Sequence, residues 1–575
     1  MESRLIKGGG TMNIENENEE YGGYISSITF NDGKELTVNE NDIVIFVGPN
    51  NAGKSQALRD LFELCDTPQP TTVIKDIKIC KKPGNIYNLL EKVSNVNNQG
   101  GRTSYSGLEF IIDGLSVKHS IASDTYKQLR PVYVKYLDTM SRLSICGPVG
   151  IMDPNNAYGH PILYAANEPK YRKWLSSNFK KAFGKDIIPN KFEGSTVPLC
   201  IGEPVKLPGE YADEQDRLED YASILKKYPQ VQNQGDGIKS FTGILLYLMI
   251  DYLSTFLIDE PESFLHPPQA NIMGRTIGEA LSDRQQAFIA THSEEVIKGL
   301  LAVCPERVKV VRITRRDNIN RFSILENEAF DKIWKDPLLR FSNIMTSLFH
   351  KKVVLCESDS DCKMYSIINT QLCQERESYD ETLFIHCGGK HRMAKVIEAL
   401  KSLNISVSVI VDIDVLDDEK VFRELVDTIG ISWDTISQNY KIVTSNVVNN
   451  RELPKGKEVK QAIDDVIRGK EDVKLSSGEI KNLKKILSVE SGWKAVKQGG
   501  VSMLPSGDAT KKYSEIEKLL SAKGLYIVPV GELEGFIKSV GGHGPNWVNS
   551  VLEEYSNLKD DVYAEIRSFV SKVIS

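Results

Sequence analysis

Paired cysteines are the first thing this chain lacks: its nine cysteines (65, 80, 146, 200, 304, 356, 362, 373 and 387) contain no C-x-x-C. That spacing argues against a zinc ribbon or a disulfide scaffold, so reduced thiols in a cytoplasmic setting are expected. Any metal is then expected on oxygen. No apolar run approaches the ~20 residues a membrane-spanning helix needs, and the N-terminus has no apolar signal-peptide core; no membrane partner is expected. Positive charge is not in excess either. A net charge of −7 leaves a nucleic-acid site only as a local basic surface on an acidic body. No sustained heptad repeat marks a coiled-coil arm. With 575 residues, 41% hydrophobic and 26% charged, the chain has the composition of a globular protein, and ~150 residues per domain allows about three or four domains. Residues 1–21, with GGG and then NIENENEE, read as a disordered start.

What is present centres on residues 43–55, IVIFVGPNNAGKS. The β-branched apolar run at 43–47 reads as a buried strand. Gly48-Pro-Asn50-Asn51-Ala52-Gly53-Lys54-Ser55 fits G-x-x-x-x-G-K-[ST], and from Gln56 the spacing of Leu58, Leu61, Phe62 and Leu64 is helical. Strand, loop and helix in that order let backbone N–H groups turn toward phosphate oxygens, with Lys54 reaching the outer phosphates and Ser55 ligating Mg²⁺. ATP is the expected cofactor.

Upstream, residues 24–30 and 35–38 flank Asn31-Asp32-Gly33 and predict a hairpin at the edge leading into the phosphate-loop strand. Short strands are expected through 72–131, including 107–112 and 116–121 across Asp113-Gly114, then a strand at 132–137. Residues 140–230 read as an inserted helical region, with helices at 171–182 and 212–227. Gln234-Gly-Asp-Gly237-Ile-Lys-Ser240 is a Gly-rich turn at a helix start, suited to phosphate through its N–H groups and Ser240. Residues 254–258 lead into Asp259-Glu260-Pro261-Glu262. Asp259 is placed to share Mg²⁺ with Ser55, and Glu260 to polarise water. The strand at 286–290 ends in Thr291-His292-Ser293, with His292 placed to sense the γ-phosphate. Residues 308–313 and 321–325 read as a closing strand pair, and 328–349 as linking helices.

A second α/β unit begins at Lys352. Strands at 353–356, 383–386 and 407–411 end respectively at Glu357, at Cys387-Gly388-Gly389-Lys390 and at Asp412-Ile-Asp414, while Asp361 opens the intervening helix. Carboxylates at the C-terminal edge of such a sheet converge on one crevice and suit Mg²⁺ or Mn²⁺. Residues 415–520 are charged and helical; clusters at Lys455, Lys457, Lys460, Lys481, Lys484 and Lys485 read first as solvated helix faces and, as the alternative, as contacts with a phosphate backbone. A strand at 526–530 ends in Gly531-Glu532-Leu533-Glu534, followed by Gly-Gly-His543-Gly.

GPNNAGKS, QGDGIKS, FLIDEPESFLHP and AFIATHS resemble the Walker A, signature, Walker B and histidine-switch motifs of ABC-type ATPases of the SMC/Rad50-like and OLD (overcoming lysogenisation defect) group. The Glu, Gly-Gly and Asp-x-Asp order resembles a TOPRIM domain, with Ser358 where that family usually has Gly. The resemblance covers residues 22–560. It implies an α/β chain: an ABC-type head at 22–345, then a TOPRIM nuclease domain at 346–575 with a helical insertion at 415–520. It further implies ATP held between heads of a homodimer or higher homo-oligomer, with Gly237 and Ser240 acting in trans. Glu357, Asp361, Asp412 and Asp414 become metal ligands or bases, Glu532 and Glu534 a second metal site, Lys538 the nearest match to a late catalytic lysine, and His543 a contributor or a turn residue. Relatives such as the Gabija nuclease and retron-associated OLD effectors act against phage. An ATP-regulated, Mg²⁺-dependent endonuclease on double-stranded DNA is the expectation, with a reverse transcriptase carrying RNA–DNA, or a helicase, as partner. The competing expectation is an ATP-driven sensor or scaffold that binds without cutting. A topoisomerase or primase is disfavoured for want of a tyrosine-bearing cleavage domain or zinc module.

Overall fold

A computed structural model of the chain describes residues 22–150, 159–207, 213–316, 319–325, 336, 343–379, 381–449, 455–468, 473–487 and 492–575. The expected disordered start and most of the expected linking helices at 328–349 lie outside them. Two compact units emerge, Met1–Asp331 and Lys332–Ser575. Among the described residues no helix is long and apolar enough to cross a membrane.

The first unit is built on a six-stranded sheet in the order Ile319–Leu325, Val308–Arg316, Ile43–Val47, Gln286–Ala290, Thr255–Asp259, Val134–Leu137. Only the outermost Ile319–Leu325 runs antiparallel to its neighbour. Parallel strands covered on both faces need continuous apolar runs, and all five residues of Ile43–Val47 and of Gln286–Ala290 are buried. The register sets Asp259 against Ala290 and Ala290 against Phe46. The C-terminal ends of three strands therefore meet at one edge.

The predicted hairpin forms as Gly23–Phe30 and Glu35–Thr37, but it joins Ile74–Lys81 in a separate three-stranded sheet instead of edging the phosphate-loop sheet. A second departure lies at Asp113-Gly114. Arg102–Gly107 and Phe110–Asp113 pair as a hairpin, yet Gly114–Ile121 is a helix, not the expected strand. The Asp113 side chain accepts from Leu115 N and so starts that helix instead of turning a hairpin. Within residues 140–230 the helices Pro161–Asn167, Pro169–Phe183 and Glu214–Leu225 are joined by two small strand pairs.

The second unit holds a four-stranded parallel sheet, Thr382–His386, Lys352–Cys356, Val407–Val411 and Leu525–Ile527. The last strand is shorter than the expected 526–530. Its helices include Asp359–Glu375 and Met393–Ser402, with Gly456–Ile467, Ser477–Leu487, Gly492–Gly499 and Asp508–Ser521 filling the stretch read as charged and helical. Trp547, Tyr365 and Tyr563 bury their rings where the C-terminal helices meet Asp359–Glu375. That packing supports the sheet edge carrying the acids.

Candidate functional site

In the first unit the phosphate loop leaves its strand at Gly48, whose φ is 144° and where an added Cβ would lie 2.0 Å from Ile313 O. Only glycine fits so close a backbone approach. The loop continues through Asn50 and Asn51, both exposed, and buried Ala52 to Gly53, at φ 100°. Helix Lys54–Leu64 then starts with no side-chain cap, leaving its first N–H groups open to an anion. The Asn320 side-chain amide donates to Ala52 O at 2.6 Å and ties the loop to the closing hairpin.

Lys54 folds over the loop, its Nζ 3.0 Å from both Gly48 O and Pro49 O. Burial lowers its pKa while Glu260, Glu262 and Asp259 oppose that shift. Ser55 Oγ donates to Asp259 Oδ1 at 2.8 Å, the pairing needed for two groups that share one cation. Burial raises the Asp259 pKa against the Ser55 hydrogen bond. Fully buried Arg142 donates to Asp259 O at 2.7 Å and Glu260 O at 3.1 Å, fixing a turn in which Glu260 takes φ 47°. His292 Nδ1 lies 3.5 Å from Glu260 Oε1 and 3.4 Å from Glu262 Oε1. Hydrogen bonding between them lowers the Glu260 pKa and raises that of His292. Glu262, given no role by the sequence reading, accepts from Thr291 Oγ1 at 2.8 Å and His292 N at 2.9 Å, so it positions the histidine.

Three expected contacts are placed differently. The Gln56 amide donates to Asp60 Oδ1 at 2.8 Å and is engaged one helical turn down. Ser240 sits on helix Asp236–Leu248 with 0% exposure, so its hydroxyl is not presented to a second head. The exposed start of that helix is Gly235 and Asp236. Gly237 packs on its own unit; a Cβ there would lie 2.5 Å from Phe264 O.

In the second unit Glu357 and Asp412 follow adjacent parallel strands, and Asp412 N donates to Glu357 Oε1 at 3.0 Å. Gly389, at φ 119°, donates its N–H to Glu357 O at 3.0 Å. Ser358 and Asp361 cap helix Asp359–Glu375 reciprocally, with Ser358 N donating to Asp361 Oδ2 at 2.8 Å. Serine in the family's glycine position therefore starts the helix and leaves the acids in place. Glu534 Oε1 accepts from Gly544 N at 2.8 Å and lies 2.7 Å from His543 Nδ1.

A cleft of about 460 Å³ is lined by Glu357, Asp361, Asp412, Lys497, Glu534 and His543 among others. Two triads, Glu357–Asp412–Asp414 and Glu532–Glu534–His543, each bring three ligand atoms within 4.8 Å of one another. Lys497 Nζ stands among the acids, 3.1 Å from Asp414 Oδ2, 3.4 Å from Asp412 Oδ2 and 3.8 Å from Glu532 Oε2. Lys390 Nζ adds a contact to Asp414 Oδ2 at 3.3 Å. Burial pushes the Glu357 carboxyl up to about 7, against the hydrogen bond from Asp412 N and with help from the Asp414 charge; burial also holds Asp412 well above its ordinary range, with the charges of Glu357 and Asp414 adding to it. Burial also raises Asp361 and Glu532. It works to lower Lys497, but the surrounding carboxylates outweigh it and raise that ammonium above its usual value.

A divalent cation fits this donor set. The Asp414 Oδ1 atom is buried with no hydrogen-bond partner among the described residues, and an ammonium already occupies the centre of the acids. Lys497 was not singled out from the sequence. The nearer match, Lys538, is exposed and does not line the cleft.

Each of the two units carries a match to a known family. Residues 348–414 match the family described as "Overcoming lysogenization defect protein-like, TOPRIM domain". Residues 213–298 match "AAA domain, putative AbiEii toxin, Type IV TA system". The Old nuclease of Escherichia phage P2 is 21% identical over 321 residues, covering 54% of this chain and 48% of that protein. The chain thus spans about half the length of that relative. Among solved structures, the SMC head bound to the C-winged helix domain of ScpA is 13% identical, covering 54% of this chain and 100% of that one, with a TM-score of 0.31. The SMC head domain from Thermotoga maritima is 11% identical, covering 53% and 98%, with a TM-score of 0.28. At those scores the fold reading rests on the strand order and loop geometry above.

Proposed function

We propose, from a chain that joins an ATPase domain to an OLD-like TOPRIM domain in the order of OLD-family proteins, an endonuclease on double-stranded DNA whose cutting is governed by ATP. One observation carries the reading most: acids from separate strand ends of one parallel sheet converge with Lys497 in a single cleft. Bound divalent cations, Mg²⁺ or Mn²⁺, would polarise the scissile phosphate and its attacking water. Glu357, Asp412 and Asp414 would hold the first position, with Asp361, which lines the same cleft, as a further ligand or base. Glu532 and Glu534 supply the second. Lys497, beside those carboxylates, would neutralise charge developing on the phosphate.

In the ATPase unit, the open helix start and Lys54 would receive the phosphates, Ser55 and Asp259 would hold Mg²⁺, and Glu260 would orient water. His292 reports the outer phosphate through its link to Glu260. Heads of two or more copies assemble around ATP, and the protein serves defence against phage, with a reverse transcriptase carrying RNA–DNA or a helicase as its control.

The test incubates purified full-length protein with supercoiled and linear DNA in Mg²⁺ or Mn²⁺, with and without ATP, beside Lys54→Ala and an Asp412→Ala/Asp414→Ala double variant. Metal-dependent cutting that responds to ATP only when Lys54 is present, and that the double variant loses, is the expected result. Cutting retained by the double variant removes the nuclease assignment. DNA binding without cutting under every condition supports the sensor or scaffold instead.

A further inference from the structure

The two triads in the TOPRIM cleft differ in chemistry. Glu357, Asp412 and Asp414 offer carboxylate oxygen alone, whereas Glu532 and Glu534 are joined by an imidazole nitrogen. We propose that His543 Nδ1 is a direct ligand at the second position, which makes that position a mixed nitrogen–oxygen site selecting Mn²⁺ over Mg²⁺, while the first accepts either. The proposal rests on the nuclease reading above and adds which cation each position takes.

Four observations support it. His543 Nδ1 lies 2.7 Å from Glu534 Oε1, and the donor atoms of the triad lie within 4.8 Å of one another, a span that one cation can bridge. Lys497 Nζ, 3.8 Å from Glu532 Oε2 and 3.1 Å from Asp414 Oδ2, places a positive charge beside both triads, so the cleft already accommodates a cation at their boundary. Gly544 N donates to the same Glu534 oxygen at 2.8 Å, which fixes the carboxylate in place beside the ring. The ring itself is largely exposed, with its side chain 79% accessible, so it can turn onto a cation without disturbing packed neighbours.

The selectivity follows from donor type. Mg²⁺ is hard, demands near-ideal octahedral oxygen and gives up its waters reluctantly. Imidazole raises affinity for transition-metal ions and adds little for Mg²⁺. Ligation through Nδ1 needs its lone pair, so any proton held on that nitrogen leaves to solvent on binding and the bound neutral imidazole carries its one proton on Nε2.

Tag-free full-length protein is titrated with Mn²⁺ while the free-ion electron paramagnetic resonance signal is followed, and bound Mn²⁺ is then examined for ¹⁴N coupling by electron spin echo modulation. Expected are two Mn²⁺ per chain and a ¹⁴N coupling that survives Asp412→Ala/Asp414→Ala. His543→Gln, which can still hydrogen-bond Glu534, should lose the coupling, weaken one Mn²⁺ by roughly tenfold or more and leave Mg²⁺ competition at the other unchanged. Glu532→Ala/Glu534→Ala should lose the coupling too. Thermal unfolding of the metal-free variants checks that each folds. Absence of ¹⁴N coupling in the unaltered protein, or its persistence in His543→Gln, overturns the proposal. Neither result touches the nuclease reading, which stands or falls on plasmid cutting by Asp412→Ala/Asp414→Ala.

Discussion

Replacing Lys497 by methionine keeps the apolar stem and removes the charge that the acids surround. At an effective dielectric constant of about 20, unit charges at the 3.1 Å separation from Asp414 attract by about 5 kcal/mol before solvent is counted. The side chain is 33% accessible, so water screens much of this, and a net ~1–2 kcal/mol is the defensible figure. An incoming cation must displace that ammonium from Asp412 and Asp414. Without it, the first Mn²⁺ should bind about tenfold more tightly, because 1.4 kcal/mol is one decade. Cutting should move the other way. A charge aimed at the developing oxyanion is worth ~10²–10³ in rate, and the variant should lose that much in single-turnover plasmid nicking at saturating metal. Calorimetric Mn²⁺ titration and the nicking assay, run on the same preparation, read the two effects separately. A variant that binds Mn²⁺ no more tightly and nicks at the original rate would refute the placement of Lys497 in the chemistry.

Gly48→Ala puts a methyl group where Ile313 O stands 2.0 Å away at φ 144°; ATP should no longer raise the melting temperature of the variant, and an unchanged ATP-induced shift counts against the loop geometry. Glu262→Ala removes the acceptor for Thr291 and His292, so ATP turnover should fall by roughly tenfold or more with little change in KM, as for loss of an interaction used in the transition state; a rise in KM alone points to nucleotide binding instead. The third outcome concerns pH. Glu357 is lifted to about 7 by burial, so between its ordinary range and about pH 7 the folded protein holds a proton that the unfolded chain releases. Stability of the metal-free protein is therefore lost as pH rises through that window, and Asp412 shifts in the same direction. In chelator, melting should occur at lower temperature at about pH 8 than at about pH 6, and divalent cation should reverse the trend; a melting temperature that rises with pH in chelator contradicts the burial argument.

Much of both sites is legible locally. Ile43–Val47, Thr255–Asp259 and Val407–Val411 are apolar runs with few alternatives to buried strands, and within each sheet the groups at the strand ends share an edge because parallel strands share a direction. What is not local is less legible. Asp113-Gly114 serves equally as a hairpin turn or as a helix start, and the choice falls to the helix because Asp113 finds Leu115 N. Ser240 lies one helical turn beyond the exposed Asp236, and which face that turn buries depends on what packs there.

Lys497 is the sharpest case. It is 83 residues from Asp414, in a stretch where lysine is common, and nothing in its neighbours separates it from the others. Nearness in sequence to the last acids favours Lys538, which is exposed and does not line the cleft. The physical link runs through Gly531, where the chain turns after Leu525–Ile527. A Cβ at Gly531 would lie 1.9 Å from Lys497 O, and Gly531 O accepts from Ile413 N at 2.9 Å. One glycine thus packs against the helix end carrying Lys497 and the turn carrying Asp412 and Asp414 at once. A side chain there would have to push the lysine's backbone away from the acids, so the charge in the cleft depends on a residue whose only sequence signal is the absence of a side chain.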